Sequence, residues 1–151
     1  MTVTTRPAVG TQPTPLLVRL AVGVLAATQA LIGGWALFAP AAFYAGFPAA
    51  GHAWVAMLPP YNEHLVRDVG ALSLAVGVVL VAAVLTADRR LTAVALLAYA
   101  VYAVPHTLFH GLHLEGFGHA DAVAQMAGFI LQLLLVGGSA WLLWRDRTRS
   151  S

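Results

Sequence analysis

The residues with the most evident chemistry are three histidines near the end of an apolar segment, in the run PHTLFHGLHLEG. His106, His110 and His113 follow one another at intervals of four and three residues, which places them in one stripe along a helix face. Ionisable side chains are costly in a segment that lies in lipid, so three in register indicate a partner, a ligand or a metal ion. Neutral imidazole nitrogens are ligands that zinc, iron and copper accept.

A second group of polar side chains opens the preceding apolar segment, in the run NEHLVRD. His64 and Asp68 are four residues apart and share a helix face, so both could reach one metal ion. Glu63 and Arg67 have the same spacing, which is typical of a salt bridge. Asn62 follows two prolines and is predicted to be the N-cap of the helix.

A third group leads into the last apolar segment, in the run HADAVAQ. Asp121, which could cap this helix, lies on roughly one face with Gln125 and Gln132. In the preceding segment, Tyr99 and Tyr102 continue the histidine stripe backwards at intervals of three and four. We therefore predict a polar seam that faces the interior of a bundle and not lipid.

The composition is that of a membrane protein. Of the 151 residues, 60% are hydrophobic and 9% are charged, whereas an ordinary globular domain has about 25% charged residues. The absence of cysteine excludes thiol redox chemistry, and because all eight basic residues are arginine, a side-chain Schiff base is excluded too. The net charge of +2 is too small to indicate nucleic-acid binding.

Four apolar stretches each approach the ~20 residues that a helix needs to cross the hydrocarbon core. The predicted helices cover about 16–39, 63–85, 91–113 and 121–144. They form one transmembrane domain, 16–144, between a polar tail over 1–15 and a basic tail over 145–151. The first stretch is longer than the apolar part of a signal peptide, so we expect it to be retained.

The arginines predict how the helices are oriented. The two loops at 40–62 and 114–120 contain no Lys or Arg, whereas arginines flank the other helix ends at Arg6, Arg19, Arg89, Arg90, Arg145, Arg147 and Arg149. By the positive-inside rule, the chain is expected to be an all-α, integral membrane four-helix bundle, running up-down-up-down with both termini in the cytoplasm. Loop 40–62, rich in Pro, Gly and aromatic residues, is expected to be an interfacial segment or a lid.

Small residues indicate where the helices approach closely. Ala30 with Gly34, and Ser73 with Gly77, have the small-xxx-small spacing that lets two helix backbones pack together. Whether whole bundles associate into a homo-oligomer stays open.

This topology places the start of the second predicted helix, the end of the third and the start of the fourth on the outer membrane face. His64 is expected to face His110 or His113, and Asp68 to face His106 or His110. The sequence therefore predicts a metal site at the extracytoplasmic ends of these helices, with ligands His64, Asp68, His106 and His110. His113 would be a further ligand or, like Tyr102, contact the ligands, and Glu63 or Asp121 would orient ligands or carry protons.

Three functions are compatible with this cluster. The first is a metalloprotein that uses zinc, iron or copper for redox or hydrolytic chemistry on a lipophilic or small substrate. Haem is a weaker alternative, since it needs only one histidine on each side. The second is a metal-free lipid isomerase or cyclase that uses the same groups as acids and bases. The third is a non-catalytic membrane subunit in which the cluster only ties helix ends together.

Three segments also resemble a known group of proteins: NEHLVRDVGALSLAVGV, VPHTLFHGLHLEG and HADAVAQ. They are similar to small four-helix actinobacterial membrane proteins within the broad DoxX-like set, and the resemblance covers most of the chain. It implies a four-helix membrane fold and little about activity.

Overall fold

The computed structural model describes residues 13–58 and 60–149, and within these ranges the only regular secondary structure is helical. The helices are α1 Leu16–Phe38, α2 Pro40–Gly46, α3 Glu63–Thr86, α4 Arg89–Gly111 and α5 His119–Arg149. By length and composition, α1, α3, α4 and residues His119–Asp146 of α5 could each cross a membrane. The all-α class and the four predicted spans are therefore confirmed, while most of the polar tail lies outside the described residues.

Local features account for the helix ends, some of which agree with the predicted positions and some of which do not. Asn62 caps α3 as predicted, because its side-chain oxygen accepts a hydrogen bond from the Leu65 N–H at 3.1 Å. Asp88 caps α4 in the same way, 2.7 Å from the Leu91 N–H, and this cap starts the helix two residues before the predicted position. Hydrophobicity identifies the part of a helix that spans lipid and not where the helix ends. Helix α5 therefore continues past residue 144, the predicted end, into its charged C-terminal part.

Loop 40–62 contains a helix that the sequence analysis did not predict. In α2, Pro40 occupies the first turn, where its missing N–H costs nothing. Aromatic rings then pack α2 and the following residues onto the end of α1: Trp35 meets Phe43 edge-on at 5.7 Å, and Phe47 meets Trp54 edge-on at 6.1 Å between ring centroids. The segment is thus packed against the bundle through its aromatic side chains.

The closest helix contact joins α1 and α3 through small residues. A Cβ atom built on Gly33 would lie 2.9 Å from both the Gly70 carbonyl oxygen and the Ser73 Cβ, so this contact requires glycine. Ser73 and Gly77 are buried in the interface, as predicted. Gly34, which was predicted to serve the same purpose on α1, has no neighbour within 4 Å of such an atom, so that prediction was wrong by one position.

The core lies between the four long helices and is narrow. Val18, Leu25, Leu80 and Tyr99 have no exposed surface. Many other large apolar side chains point outwards, and Leu31 is 76% exposed. An apolar surface of this extent fits a bundle whose surroundings are lipid rather than water.

Two contacts define one end of the helix assembly, which we call the arginine end. The Thr14 N–H donates to the Ala87 carbonyl oxygen at 2.8 Å, which brings the start of α1 beside the end of α3. The Arg89 guanidinium donates to the Leu143 carbonyl oxygen at 2.9 Å, which brings the start of α4 beside the end of α5. The predicted site residues lie at the opposite helix ends, which we call the histidine end.

Candidate functional site

His106 and His110 lie together between α4 and α5. Their ring centroids are 4.6 Å apart, and the His106 ring stacks on Tyr102 at 5.0 Å. Phe129 of α5 contacts both imidazoles, at 5.1 Å from His106 and 4.9 Å from His110. Deeper in the bundle, Tyr99 completes the seam. These four α4 side chains are buried or half-buried, so the predicted inward-facing seam is confirmed over this stretch.

The seam contains two buried polar atoms that form no hydrogen bond with any described residue: Nδ1 of His110 and Oε1 of Gln125. His110 is 9% exposed and Gln125 is 2% exposed, and the two side chains adjoin. Buried polar atoms are satisfied in the great majority of cases, so each exception calls for a physical reason. A proton on Nδ1 of His110 would let this nitrogen donate to Oε1 of Gln125, whereas a proton on Nε2 leaves both atoms presenting a lone pair to the same region.

The side-chain amide oxygen of Gln132, seven residues further along α5 than Gln125, has a hydrogen-bond partner. The Tyr99 hydroxyl donates to Oε1 of Gln132 at 2.7 Å. The contact between α4 and α5 therefore contains polar side chains at two depths: Tyr99 and Gln132 share a hydrogen bond at the deeper one, and His110 and Gln125 adjoin at the other.

His64 and Asp68 are placed together but away from the bundle interior. Nε2 of His64 lies 3.2 Å from Oδ2 of Asp68, and the two side chains are 86% and 54% exposed. The adjacent pair also forms as predicted: the Arg67 guanidinium lies 2.8 Å from Oε1 of Glu63. Arg67 additionally donates to the Leu37 carbonyl oxygen, which ties the start of α3 to α1.

The four predicted ligands do not come together as one group. Within residues 13–58 and 60–149, no three His, Asp or Glu side chains are grouped so that they could hold a metal ion. The reason lies in α3, where Val66 and Gly70 face inwards. Two residues turn a helix through about 200°, so His64 and Asp68 lie on nearly the opposite face.

His113 lies beyond the histidine stripe. Helix α4 ends at Gly111, so the predicted helix to residue 113 was two residues too long. The His113 ring is exposed, stacks on Phe109 at 4.1 Å and is 2.7 Å from the Phe109 carbonyl oxygen through Nδ1. The inward stripe of histidines therefore ends at His110.

Asp121 is held by the loop that precedes α3. Its Oδ1 lies 2.7 Å from Nδ1 of His52 and accepts a hydrogen bond from the Trp54 indole N–H at 3.0 Å. Met57, in the same loop, lies against Gly116 between α4 and α5. Three residues of loop 40–62 thus contact the chain at or just before the start of α5.

Sequence reasoning missed several residues at this end. Gln125 was assigned to a helix face but not to the site, although a polar residue within an apolar span was a usable signal. Phe129 follows Gln125 by one helical turn and could have been found by the same spacing. His52 and Trp54 carried no signal, because nothing local links them to Asp121.

Comparisons of this chain with protein-family models, with curated proteins and with solved structures give no match. What the site does has therefore to be inferred from its own geometry. The similarity to DoxX-like proteins stays a prediction.

Proposed function

We propose that this chain is a multi-pass membrane protein that binds a transition-metal ion between α4 and α5, through His106 and His110. One observation carries the proposal: Nδ1 of His110 and Oε1 of Gln125 are buried side by side, and with the His110 proton on Nε2 neither atom has a hydrogen-bond partner among the described residues. A metal cation would satisfy both lone pairs at once, and the desolvated surroundings make leaving them unpaired costly.

The ligand set is narrower than the one the sequence predicts. His106 and His110 are one helical turn apart, a spacing at which two imidazoles can share an ion. The Gln125 carbonyl oxygen supplies a third ligand, and the remaining positions belong to water or substrate, as in catalytic rather than structural sites. Zinc, iron and copper all accept imidazole nitrogen. Haem fits poorly, since both histidines come from one helix and its axial ligands must approach from opposite sides.

The surroundings indicate what such an ion would do. The arginine pattern favours up-down-up-down topology with cytoplasmic termini, which places the histidine end on the extracytoplasmic side. An open metal position in an apolar seam suits redox or hydrolytic chemistry on a lipophilic or small substrate. Glu63 and Asp121, both at this end, would carry protons. Membership of the DoxX-like set is part of the same proposal.

The metal content of the purified protein tests this proposal. We expect stoichiometric zinc, iron or copper by elemental analysis after purification or after reconstitution and dialysis. His106→Ala and His110→Ala should each lose it, while His64→Ala and Asp68→Asn, which alter the exposed pair with the same chemistry, should retain it. Folded protein without metal under all loading conditions would overturn the proposal, as would equal losses in the exposed-pair variants.

A non-catalytic membrane subunit is the second candidate, because protein contacts satisfy many polar groups at the histidine end. Glu63 pairs with Arg67 and His52 pairs with Asp121. In that case His106→Gln with His110→Gln would lower the unfolding temperature, and metal analysis of the parent protein would be negative. The same purified samples therefore distinguish the two functions.

A further inference from the structure

Residues 47–58, which we call the strap, join α2 to the segment before α3 at the histidine end and are attached on two sides. At the start of the strap, Phe47 packs edge-on against Trp35 of α1, with 6.1 Å between the ring centroids. Further along, two strap side chains contact the same oxygen of Asp121 in the first turn of α5. The strap therefore runs from the α1 side of the bundle to the start of α5.

The attachment to Asp121 is the one that opens at the lower cost. The side chains of His52 and Asp121 are 50% and 28% exposed, so solvent screens their contact. The Phe47 ring, in contrast, packs against the rings of Trp35, Phe43 and Trp54. We therefore expect the strap to stay attached at Phe47 when it leaves Asp121.

Backbone strain lies between the two strap residues that contact Asp121. Ala53 has a φ of 48°, in the left-handed region that residues with a side chain rarely adopt. Such a conformation persists where neighbouring contacts hold it. Because His52 and Trp54 flank Ala53 and both contact Oδ1 of Asp121, the carboxylate holds the strained turn. Release of the carboxylate would relieve the strain.

The strap meets α5 one helical turn from the buried polar atoms of the seam. Asp121 and Gln125 are four residues apart, so they are neighbours on one helix face. Gln125 is 2% exposed and adjoins His110, which is 9% exposed although it lies in the last turn of α4. Met57 of the strap also lies against Gly116, in the loop that joins α4 to α5. The strap is thus attached beside the seam, on the side of the helix ends.

Nδ1 of His110 and Oε1 of Gln125 are buried, so a solute reaches them only when part of the protein moves. Segments without helical hydrogen bonds and with partly exposed contacts open more readily than packed helices. We propose that the strap is a gate, which excludes water and ions from the seam while it is held by Asp121 and admits them when that contact opens. This inference rests on the proposed function in one respect, namely that the solute admitted is a metal ion.

Cysteine labelling tests the gate without any metal, because the chain contains no cysteine of its own. Gln125→Cys places a single thiol in the seam of the full-length protein in lipid nanodiscs. A charged methanethiosulfonate reagent, which does not enter lipid, measures access to this thiol from water. We expect slow labelling, and labelling about fivefold faster when Asp121→Ala is added, the scale for the loss of one hydrogen bond. His52→Ala, which alters an exposed strap residue, should change the rate in the same direction.

A matched cysteine separates opening of the gate from general loosening of the bundle. Ser139 is 3% exposed and lies further along the same face of α5, towards the arginine end. Labelling of Ser139→Cys should not change when Asp121→Ala is added. Equal acceleration at positions 125 and 139 would overturn the proposal.

Glu115→Ala removes a carboxylate from the loop before α5 and should leave the labelling of Gln125→Cys unchanged. An effect of Asp121→Ala no larger than that of Glu115→Ala would also overturn the gate. Elemental analysis of the parent protein decides the metal site separately. The expected labelling rates together with a metal-free parent protein would support the gate and contradict only the proposed function.

Discussion

His52 and Asp121 are 69 residues apart in the chain, yet Nδ1 of His52 lies 2.7 Å from Oδ1 of Asp121. The Trp54 indole N–H donates to the same oxygen at 3.0 Å. These two contacts tie the loop between α2 and α3 to the first turn of α5. The loop is therefore positioned by one carboxylate at the end of the bundle that carries the candidate site.

Asp121→Ala should loosen this loop. We expect only a small loss in the free energy of unfolding, because the pair is partly exposed and screened by solvent. Amide hydrogen exchange in residues 47–58 should become faster, while exchange in the transmembrane helices should not change. Glu115→Ala removes a nearby acid and serves as the control. In a double-mutant cycle, Asp121→Ala and His52→Ala should be non-additive, and additive effects would contradict the contact.

The Gln125→Leu variant distinguishes a metal-binding role of Gln125 from a purely structural one. Leucine has a similar size and removes the unpaired Oε1, so the metal-free protein should be as stable as the parent or more stable. If Gln125 is a ligand, metal affinity should fall by about tenfold or more. Isothermal titration with Zn²⁺ and thermal unfolding in detergent measure the two effects. A large loss of stability without any change in metal affinity would show that Gln125 is only structural.

Gly70→Ala should disrupt the contact between α1 and α3. The added Cβ would lie 2.9 Å from the Gly33 carbonyl oxygen and close to the Leu37 backbone, neither of which can move without shifting a helix. We expect a loss of about 1–3 kcal/mol, the usual cost of overpacking. Unfolding of the detergent-solubilised protein by a denaturing detergent measures it.

Gly34→Ala is the matched control for Gly70→Ala. No atom lies within 4 Å of the added Cβ, and alanine favours the helix, so stability should stay the same or rise slightly. Similar losses for both variants would mean that helix propensity, and not the close contact, determines the effect.

Tyr99→Phe should remove the half-buried hydrogen bond from the Tyr99 hydroxyl to Oε1 of Gln132. Hydrogen bonds between membrane helices contribute about 0.6 kcal/mol on average, and the half-buried acceptor left behind adds to the loss. We therefore expect a destabilisation of about 1 kcal/mol, measured by the same unfolding assay. Adding Gln132→Leu should recover part of the loss, since it removes the unpaired oxygen. A further loss in the double variant would argue against the contact.

The local features of the helices could be predicted from the sequence because they depend on residues close together in the chain. Hydropathy over ~20 residues located the four spans. The spacing of four predicted the ion pair Glu63–Arg67 and placed His64 and Asp68 on one helix face, and Asn62 was correctly identified as a cap. The seam through His106 and His110 followed from the same periodicity.

The composition of the candidate site could not be predicted as reliably, because it depends on which face of each helix turns inwards. His64 and Asp68 share a face, but the small residues Gly70 and Ser73 bring another face of α3 against α1. That contact turns His64 and Asp68 outwards. The candidate ligand that remains beside the α4 histidines is then Gln125 of α5.

The sequence by itself determined that the chain forms four apolar helices with polar ends, because hydrophobicity and helical spacing are properties of short segments. Only the tertiary structure decided that Asp121 meets His52, that Gly33 rather than Gly34 contacts α3, and that the predicted ligands separate into two pairs. Helix rotation and loop path follow from close packing between distant segments, which no local pattern contains.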